Sequence, residues 1–403
     1  RINANANWDN ITVSNVEILD GNGSYSTLTV QQVLDKGFVS AQNIVFRLDQ
    51  NQSDGVIDGR GLSGGLSLQG TNYSDVLIGN DDNNTINLIG AESSWDNSYA
   101  RGVDSVSAGG GDDTITWQTR GYGWQSHFSD ADNASRTYFL TGDIDGGSGK
   151  DTLVLNFSET YWKHSWNNKR VYNSDAGDWS LDLTGFTLSG IETLNATGNV
   201  GHATRYPSNF ILAVDQLASL DSATGLTSVI IKGGGTVDLA HLAALNITDW
   251  EIGDDLAYTF QGTANSETIE VGEGLSTVSS GEGNDFIKID NTSSKSNVID
   301  GGGGQDTLVI SGADVDLSGV SLTSIEGIRV SSQSLAMNES QWAELASIVE
   351  VVPGAVTEFT LSLESASTMS LSEDSLYAGF SGSADADRLI GNSADNILVG
   401  NAG

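Results

Sequence analysis

The sequence predicts an all-β fold, a right-handed parallel β-solenoid with short interspersed helices and extruded loops. Three observations carry the prediction. A glycine-rich nonapeptide recurs from Gly70 to the end of the 403 residues. The last apolar position of every copy is Leu or Ile. And 49 Gly stand against 2 Pro, so the chain turns often and turns with glycine.

The nonapeptide reads G-G-x-G-x-D-x-U-x, with U large and apolar. Gly146 to Leu153 (GGSGKDTL) and Gly301 to Leu308 (GGGGQDTL) match it at every defined position. Ala108 to Ile115 (AGGGDDTI) and Ser280 to Ile287 (SGEGNDFI) miss only the first glycine. Looser copies start at Gly70, Gly79, Gly262, Gly382 and Gly391, with Asp75, Asn84, Glu267, Asp387 and Asn396 in sixth place. The eighth position is Leu77, Ile86, Ile115, Leu153, Ile269, Ile287, Leu308, Leu389 and Leu398. Copies starting nine residues apart (Gly70 and Gly79) or eighteen apart (Gly262 and Ser280) fit coils stacked at a constant pitch. Alternating runs such as Thr152 to Phe157, bounded by glycine turns, predict short strands. One such unit cannot bury its apolar face, whereas stacked units enclose a narrow core of Leu, Ile and Val.

A longer repeat is superimposed. Asp182 to Leu194 (DLTGFTLSGIETL) recurs as Asp316 to Ile328 (DLSGVSLTSIEGI), with a fainter trace at Ile11 to Ile18. Each is followed by a stretch of helical character, at Val30 to Leu34, Val214 to Leu220 and Glu339 to Leu345. The expected organisation is the closing part of a solenoid module over 1–69, then a complete module with aromatic-rich insertions over 70–261. A shorter module over 262–381 and the start of another over 382–403 follow. The chain opens on Arg1 and stops at Gly403 inside a further nonapeptide, so the parent is expected to continue in both directions.

Lys and Arg total 17 against 53 Asp and Glu, a formal charge of −36. Such a surface repels phosphate, so nucleic acid is not an expected partner. Membrane insertion is not expected either, because no apolar run approaches the roughly 18 residues of a membrane span. Cysteine is absent, which excludes disulfides, thiolate metal sites and cysteine nucleophiles. Stacking the turns about 4.8 Å apart sets one acidic group above another, which is unfavourable without a counterion. A plain acidic turn would account for one copy. Nine in register point instead to Ca²⁺, a hard cation taking about 6–8 oxygens from carboxylates and carbonyls.

In these residues the chain resembles the RTX (repeats-in-toxin) family, secreted calcium-binding proteins whose tandem nonapeptides form a parallel β-roll. The resemblance implies several Ca²⁺ ions held by the sixth-position side chains Asp113, Asp151, Asp285 and Asp306, with Asp75 and Asp387 as further ligands. It also implies turns framed by Gly110, Asp112, Gly147, Gly149, Gly281, Gly283, Gly302 and Gly304, with Asp145 and Asp300 at the turn entrance. Asn84, Glu267 and Asn396 depart from the pattern, and weaker or empty sites are expected there. The Leu-x-x-Ile-Glu-x-Leu segments and helical stretches resemble modules of bacterial surface-layer proteins and giant RTX adhesins. What this implies is a protein secreted to the cell surface or beyond, folding on external calcium and self-associating into a lattice or filament.

Six of the 9 Trp fall between residues 95 and 179, largely in insertions at about 90–107, 117–141 and 157–178. Trp117, Trp124, Trp162, Trp166, Tyr122 and Tyr161 are candidate contacts there. Three readings stand side by side: a face for glycan or peptide, a subunit contact, or a local mini-core that caps the loops. The chain has no His-Glu-x-x-His or Walker-type loop and is not expected to be an enzyme. Two alternatives to a structural role remain. One is an adhesin module with cell-surface glycans or peptides as partners; the other is the non-catalytic calcium roll of a secreted hydrolase or polysaccharide-modifying enzyme.

Overall fold

The computed structural model describes residues 18–26, 30–35, 38–48, 55–71, 73–89, 104–120, 136–158, 163–164, 170–171, 179–198, 209–240, 247–253, 255–272, 274, 276–289, 297–311, 314–330, 334–336, 341, 349–351, 360–362, 368–370, 378–391, 393 and 396–402. These fall into two compact units, one up to Leu226 and one from Thr227 on. Each is built of parallel strands, with one strand per coil on each sheet, so the all-β parallel solenoid read from the sequence is what forms.

In the first unit the chain alternates between two sheets. The first contains Ser40–Arg47, Ser67–Gln69, Thr85–Ile89, Thr114–Arg120, Thr152–Ser158 and Thr193–Gly198 in that order. The second contains Val56–Asp58, Val76–Ile78, Asp104–Ser107, Arg136–Asp145 and Trp179–Ser189. Short turns at 79–84, 108–113, 146–151 and 190–192 carry the chain from the second sheet to the first. The long connections run the other way, after Ile89, Arg120 and Ser158, so both attachment points of each insertion lie on the edge opposite the glycine turns.

Period-two alternation sends the eighth-position residue inward. Phe46, Leu68, Ile86, Ile115, Leu153, Leu194 and Ala223 pair in register as one row, and none is more than 2% exposed. Ile57, Leu77, Val106 and Ile144 form the facing row. In the second unit Trp250, Ile269, Ile287, Leu308 and Ile328 line one sheet, and Val237, Phe260, Val278 and Ile299 the other. Leu398 departs from this pattern: its strand Asn396–Val399 pairs only with Ala378–Ser381 among the described residues, and the side chain is exposed.

Trp117 requires a correction. It was expected in an extruded loop as a ligand or subunit contact, but it lies in strand Thr114–Arg120 two residues after Ile115 and therefore on the same inward face. Paired with Leu88 and Leu155, it is buried in the core. Trp124, Trp162, Trp166, Tyr122 and Tyr161 lie outside the described residues. Of the third insertion, Lys163–His164 and Arg170–Val171 form a short antiparallel pair.

The longer repeat has a physical basis in a buried glutamine. Gln216, in helix Val214–Ala218, donates through Nε2 to the carbonyls of Leu183 (2.8 Å) and Phe186 (2.9 Å). Gln341 does the same to Leu317 and Val320, each at 2.6 Å. Both target segments bend at an aspartate whose Oδ1 accepts from the N–H two residues on, Asp182 from Thr184 at the register shift of its strand and Asp316 from Ser318, each at 2.9 Å. The helical stretch thus clasps the bend that precedes it.

Candidate metal centre

Each glycine-rich turn lies directly on the turn of the coil before it. Gly147 has φ +93°, and a Cβ there would collide with the Gly109 carbonyl. Gly304, at φ +141°, meets the Gly283 carbonyl in the same way. This approach is why positions two and four are glycine. In the turn beginning at Ala108 the positive-φ residues are Gly109 and Gly111. Gly110, expected to frame the site, instead bridges to Ser148, because three consecutive glycines conceal the register of the motif.

Two ladders of hydrogen bonds run along the turns. In the inner one the sixth-position N–H donates to the sixth-position side chain of the following coil: Asn84 to Asp113 Oδ1 (2.6 Å), Asp113 to Asp151 Oδ1 (2.7 Å) and Asp151 to Glu192 Oε2 (2.7 Å). The second unit repeats it, with Glu267 to Asp285 (2.8 Å), Asp285 to Asp306 (2.9 Å) and Asp306 to Glu326 Oε2 (2.8 Å). In the outer, exposed ladder the direction reverses. There the fifth-position N–H donates to the preceding coil, Asp112 to Asn83 (2.9 Å) and Lys150 to Asp112 (3.0 Å), then Asn284 to Ser266 (2.9 Å) and Gln305 to Asn284 (2.9 Å). Asp112 therefore belongs to the outer ladder.

The inner ladder uses one oxygen of each aspartate and leaves the other buried. Asp113, Asp151, Asp285 and Asp306 are at most 1% exposed, and the Oδ2 of each has no hydrogen-bond partner. A buried carboxylate oxygen without a donor is costly unless a cation or proton meets it. Asn84 shows what the place demands. Its Nδ2 donates to the carbonyls of Asn80 (3.1 Å), Asp82 (2.6 Å) and Ala108 (3.0 Å) and to Asp113 Oδ1 (3.0 Å). Asn84 Nδ2 stands 2.8 Å from where a Cβ on Gly79 would be, and Asp151 Oδ2 and Asp306 Oδ2 stand 2.8 Å from the same point on Gly146 and Gly301. The carbonyls that an amide donor satisfies at Asn84 therefore face an acceptor in the aspartate turns. An oxygen-rich niche of this kind fits a hard divalent cation. Among the described residues no three acidic or histidine side chains converge, as a niche built mainly from carbonyls does not require it.

The looser copies solve the problem differently. Asp75 Oδ2 accepts from the Thr71 N–H (2.5 Å) and hydroxyl (2.9 Å), and its Oδ1 from the Gly55 N–H (3.1 Å). Asp387 Oδ2 accepts from the Ser383 N–H (2.5 Å) and hydroxyl (3.1 Å). Glu267 accepts from the Thr263 N–H (3.1 Å) and from its hydroxyl. A Thr or Ser at position two thus satisfies the acid within its own turn. Asp75 and Asp387, expected as further ligands, differ from the four full turns in that neither presents an unpartnered buried oxygen. Asp145 accepts from Ser189 Oγ (2.9 Å) and Asp300 from the Gly302 N–H (3.1 Å).

Burial dominates the electrostatics. It pushes the Asp113 carboxyl up to about 6, against hydrogen bonds from Asn84 that lower it. Asp151, Asp285 and Asp306 are raised for the same first reason, and neighbouring acids add to it: Glu192 and Asp145 at Asp151, Glu326 and Asp300 at Asp306. Asp104, which sequence reasoning missed, is pushed by burial to about 7 while its Oδ1 accepts the Asp75 N–H at 3.0 Å. The signal was available: Gly102-Val103-Asp104-Ser105-Val106 spells the second half of the nonapeptide. Gly61-Leu62-Ser63-Gly64-Gly65 spells a hydrolase-like G-x-S-x-G, but Ser63 sits between short strands with its N–H and hydroxyl both on the Val39 carbonyl. It has none of the strand-to-helix elbow that the chemistry requires.

Residues 67–88, 100–116, 261–288, 291–309 and 380–403 match the RTX calcium-binding nonapeptide repeat. The chain carries RTX calcium-binding repeats. The matched segments cover about a quarter of it and include the RTX turns of Asp113, Asp285 and Asp306. The turn of Asp151 lies outside them, yet it continues the same inner ladder. RTX nonapeptides bind calcium, which accounts for buried carboxylate oxygens that no protein donor reaches. No curated protein and no solved structure matches the chain.

Proposed function

We propose that this RTX chain is a secreted, non-catalytic structural or adhesive protein of the cell surface, whose solenoid modules self-associate into a lattice or filament. The observation that supports this reading is the repetition of one build. Both compact units carry the same inner ladder, the same orphaned aspartates and the same glutamine clasp around an apolar core. What recurs is scaffolding, with Asp151 and Asp306 holding equivalent places. Bound calcium supplies the positive charge that lets acidic turns stack, so the scaffold is complete where calcium is plentiful, as it is outside cells. RTX proteins are generally secreted, which agrees. Among the described residues no helix is long and apolar enough to cross a membrane.

The test is calcium titration of the purified chain, followed by light scattering and negative-stain electron microscopy. Ordered multimers appearing with calcium and dispersing in EDTA are expected. A chain that folds with calcium and stays monomeric at every concentration would defeat the proposal.

A further inference from the structure

We propose that the calcium stack of each unit is closed by a further cation site, one coil beyond the last glycine-rich turn. Asp151, the Gly190 carbonyl and Glu192 hold it in the first unit; Asp306, the Ser324 carbonyl and Glu326 hold it in the second. The inference rests on the calcium reading of the RTX turns and extends it to residues outside the nonapeptide.

The niche recognised at Asn84 needs a carbonyl from the coil that follows. There the carbonyl is Ala108, the first position of the next turn. Over Gly146 the corresponding oxygen is the Gly190 carbonyl, which a Cβ on Gly146 would strike, and over Gly301 it is the Ser324 carbonyl. Neither Gly190 nor Ser324 belongs to a glycine-rich repeat, yet both take a left-handed conformation, at φ +58° and +54°. For a serine this conformation is uncommon, and here it turns the carbonyl onto the same face as the orphaned Asp306 Oδ2.

The carboxylate of the next coil is also present. Glu192 and Glu326 take the inner-ladder place of an aspartate, accepting the N–H of Asp151 and Asp306 through Oε2. Each glutamate precedes its inward apolar residue, Leu194 or Ile328, by the same two positions that separate Asp151 from Leu153. The last niche of each stack therefore has its buried unpartnered oxygen, its following-coil carbonyl and its following-coil carboxylate. The Leu-x-x-Ile-Glu segment is the part of the longer repeat that supplies the last two. A hard divalent cation, Ca²⁺ before Mg²⁺, suits a donor set made only of oxygen.

The experiment counts bound calcium by equilibrium dialysis on the full chain, for wild type, Glu192→Gln, Glu326→Gln and Asp113→Asn. Circular dichroism at saturating calcium reports folding in parallel. Glutamine keeps the acceptor for the ladder and removes the charge, so each glutamate variant is expected to remain folded and to lose about one ion. Unchanged stoichiometry in both glutamate variants, with an ion lost in Asp113→Asn, would overturn the closing sites and leave the calcium reading intact. A wild-type chain that binds no calcium would overturn both. Should the variants fail to fold, long-wavelength anomalous scattering from wild-type crystals grown in calcium decides. Peaks beside Glu192 and Glu326 support the proposal, and peaks only between glycine-rich turns refute it.

Discussion

Asn84 and Asp151 hold the same place in two turns and differ by one atom. The amide donates to three carbonyls; the carboxylate presents an oxygen that nothing in the protein reaches. Asp151→Asn is therefore expected to lose calcium yet to depend on it less, with a smaller gap between melting temperatures in calcium and in EDTA. Asn84→Asp should do the reverse, destabilising the calcium-free chain by on the order of 3 kcal/mol through an uncompensated buried charge. Thermal unfolding with and without EDTA measures both, and equal shifts in the two conditions would show that the place is not a cation niche. Asp75→Ala should leave calcium stoichiometry unchanged, because Thr71 already satisfies that acid; a lost ion in dialysis would contradict the assignment. At this scale the sequence disclosed the sixth-position aspartates, since spacing alone marks them. It did not disclose which were satisfied locally, because that depends on where the hydroxyls of Thr71 and Ser383 point.

Strands were the most legible elements, because a two-residue period and a Leu or Ile in eighth place leave one way to face the core. Trp117 was misread because its place beside a long insertion drew attention away from its period with Ile115. Ile115→Ala is expected to cost about 2–5 kcal/mol through the cavity it leaves in a stacked row. The glutamine clasp was not legible. Gln216 and Gln341 were visible in helical stretches, but their targets lie 30 or so residues away for Gln216 and over 20 for Gln341. Gln216→Ala strands two buried carbonyls, at about 1–3 kcal/mol each. Denaturant unfolding should show a loss in that range, and a change below about 0.5 kcal/mol would mean that water replaces the side chain.

Across the whole molecule the net charge of −36 opposes compaction, and protons and calcium compete to relieve it. In the absence of calcium, Asp113 titrates near about 6 and Asp104 near about 7 when folded, against about 4 for an unfolded carboxyl. The folded chain then holds more protons across that window, so its stability is greatest at the acid side and falls as pH rises from about 4 to about 7. With calcium the dependence reverses, because ligands must be deprotonated to bind. Circular dichroism in EDTA should show more β-structure at pH 5 than at pH 7.5, while the calcium midpoint should be higher at pH 5. The same trend with and without calcium would contradict this. The inner ladder also has a direction: every turn receives its carboxylate and its last carbonyl from the coil that follows it in the chain. Such a stack is sealed from one end only. A turn that has just formed stays open until its successor arrives, and the glutamate coil alone needs no successor. Shortening a unit from its amino-terminal side should therefore leave every remaining turn closed, whereas a single cut after Asp151 should leave the turn at the cut open.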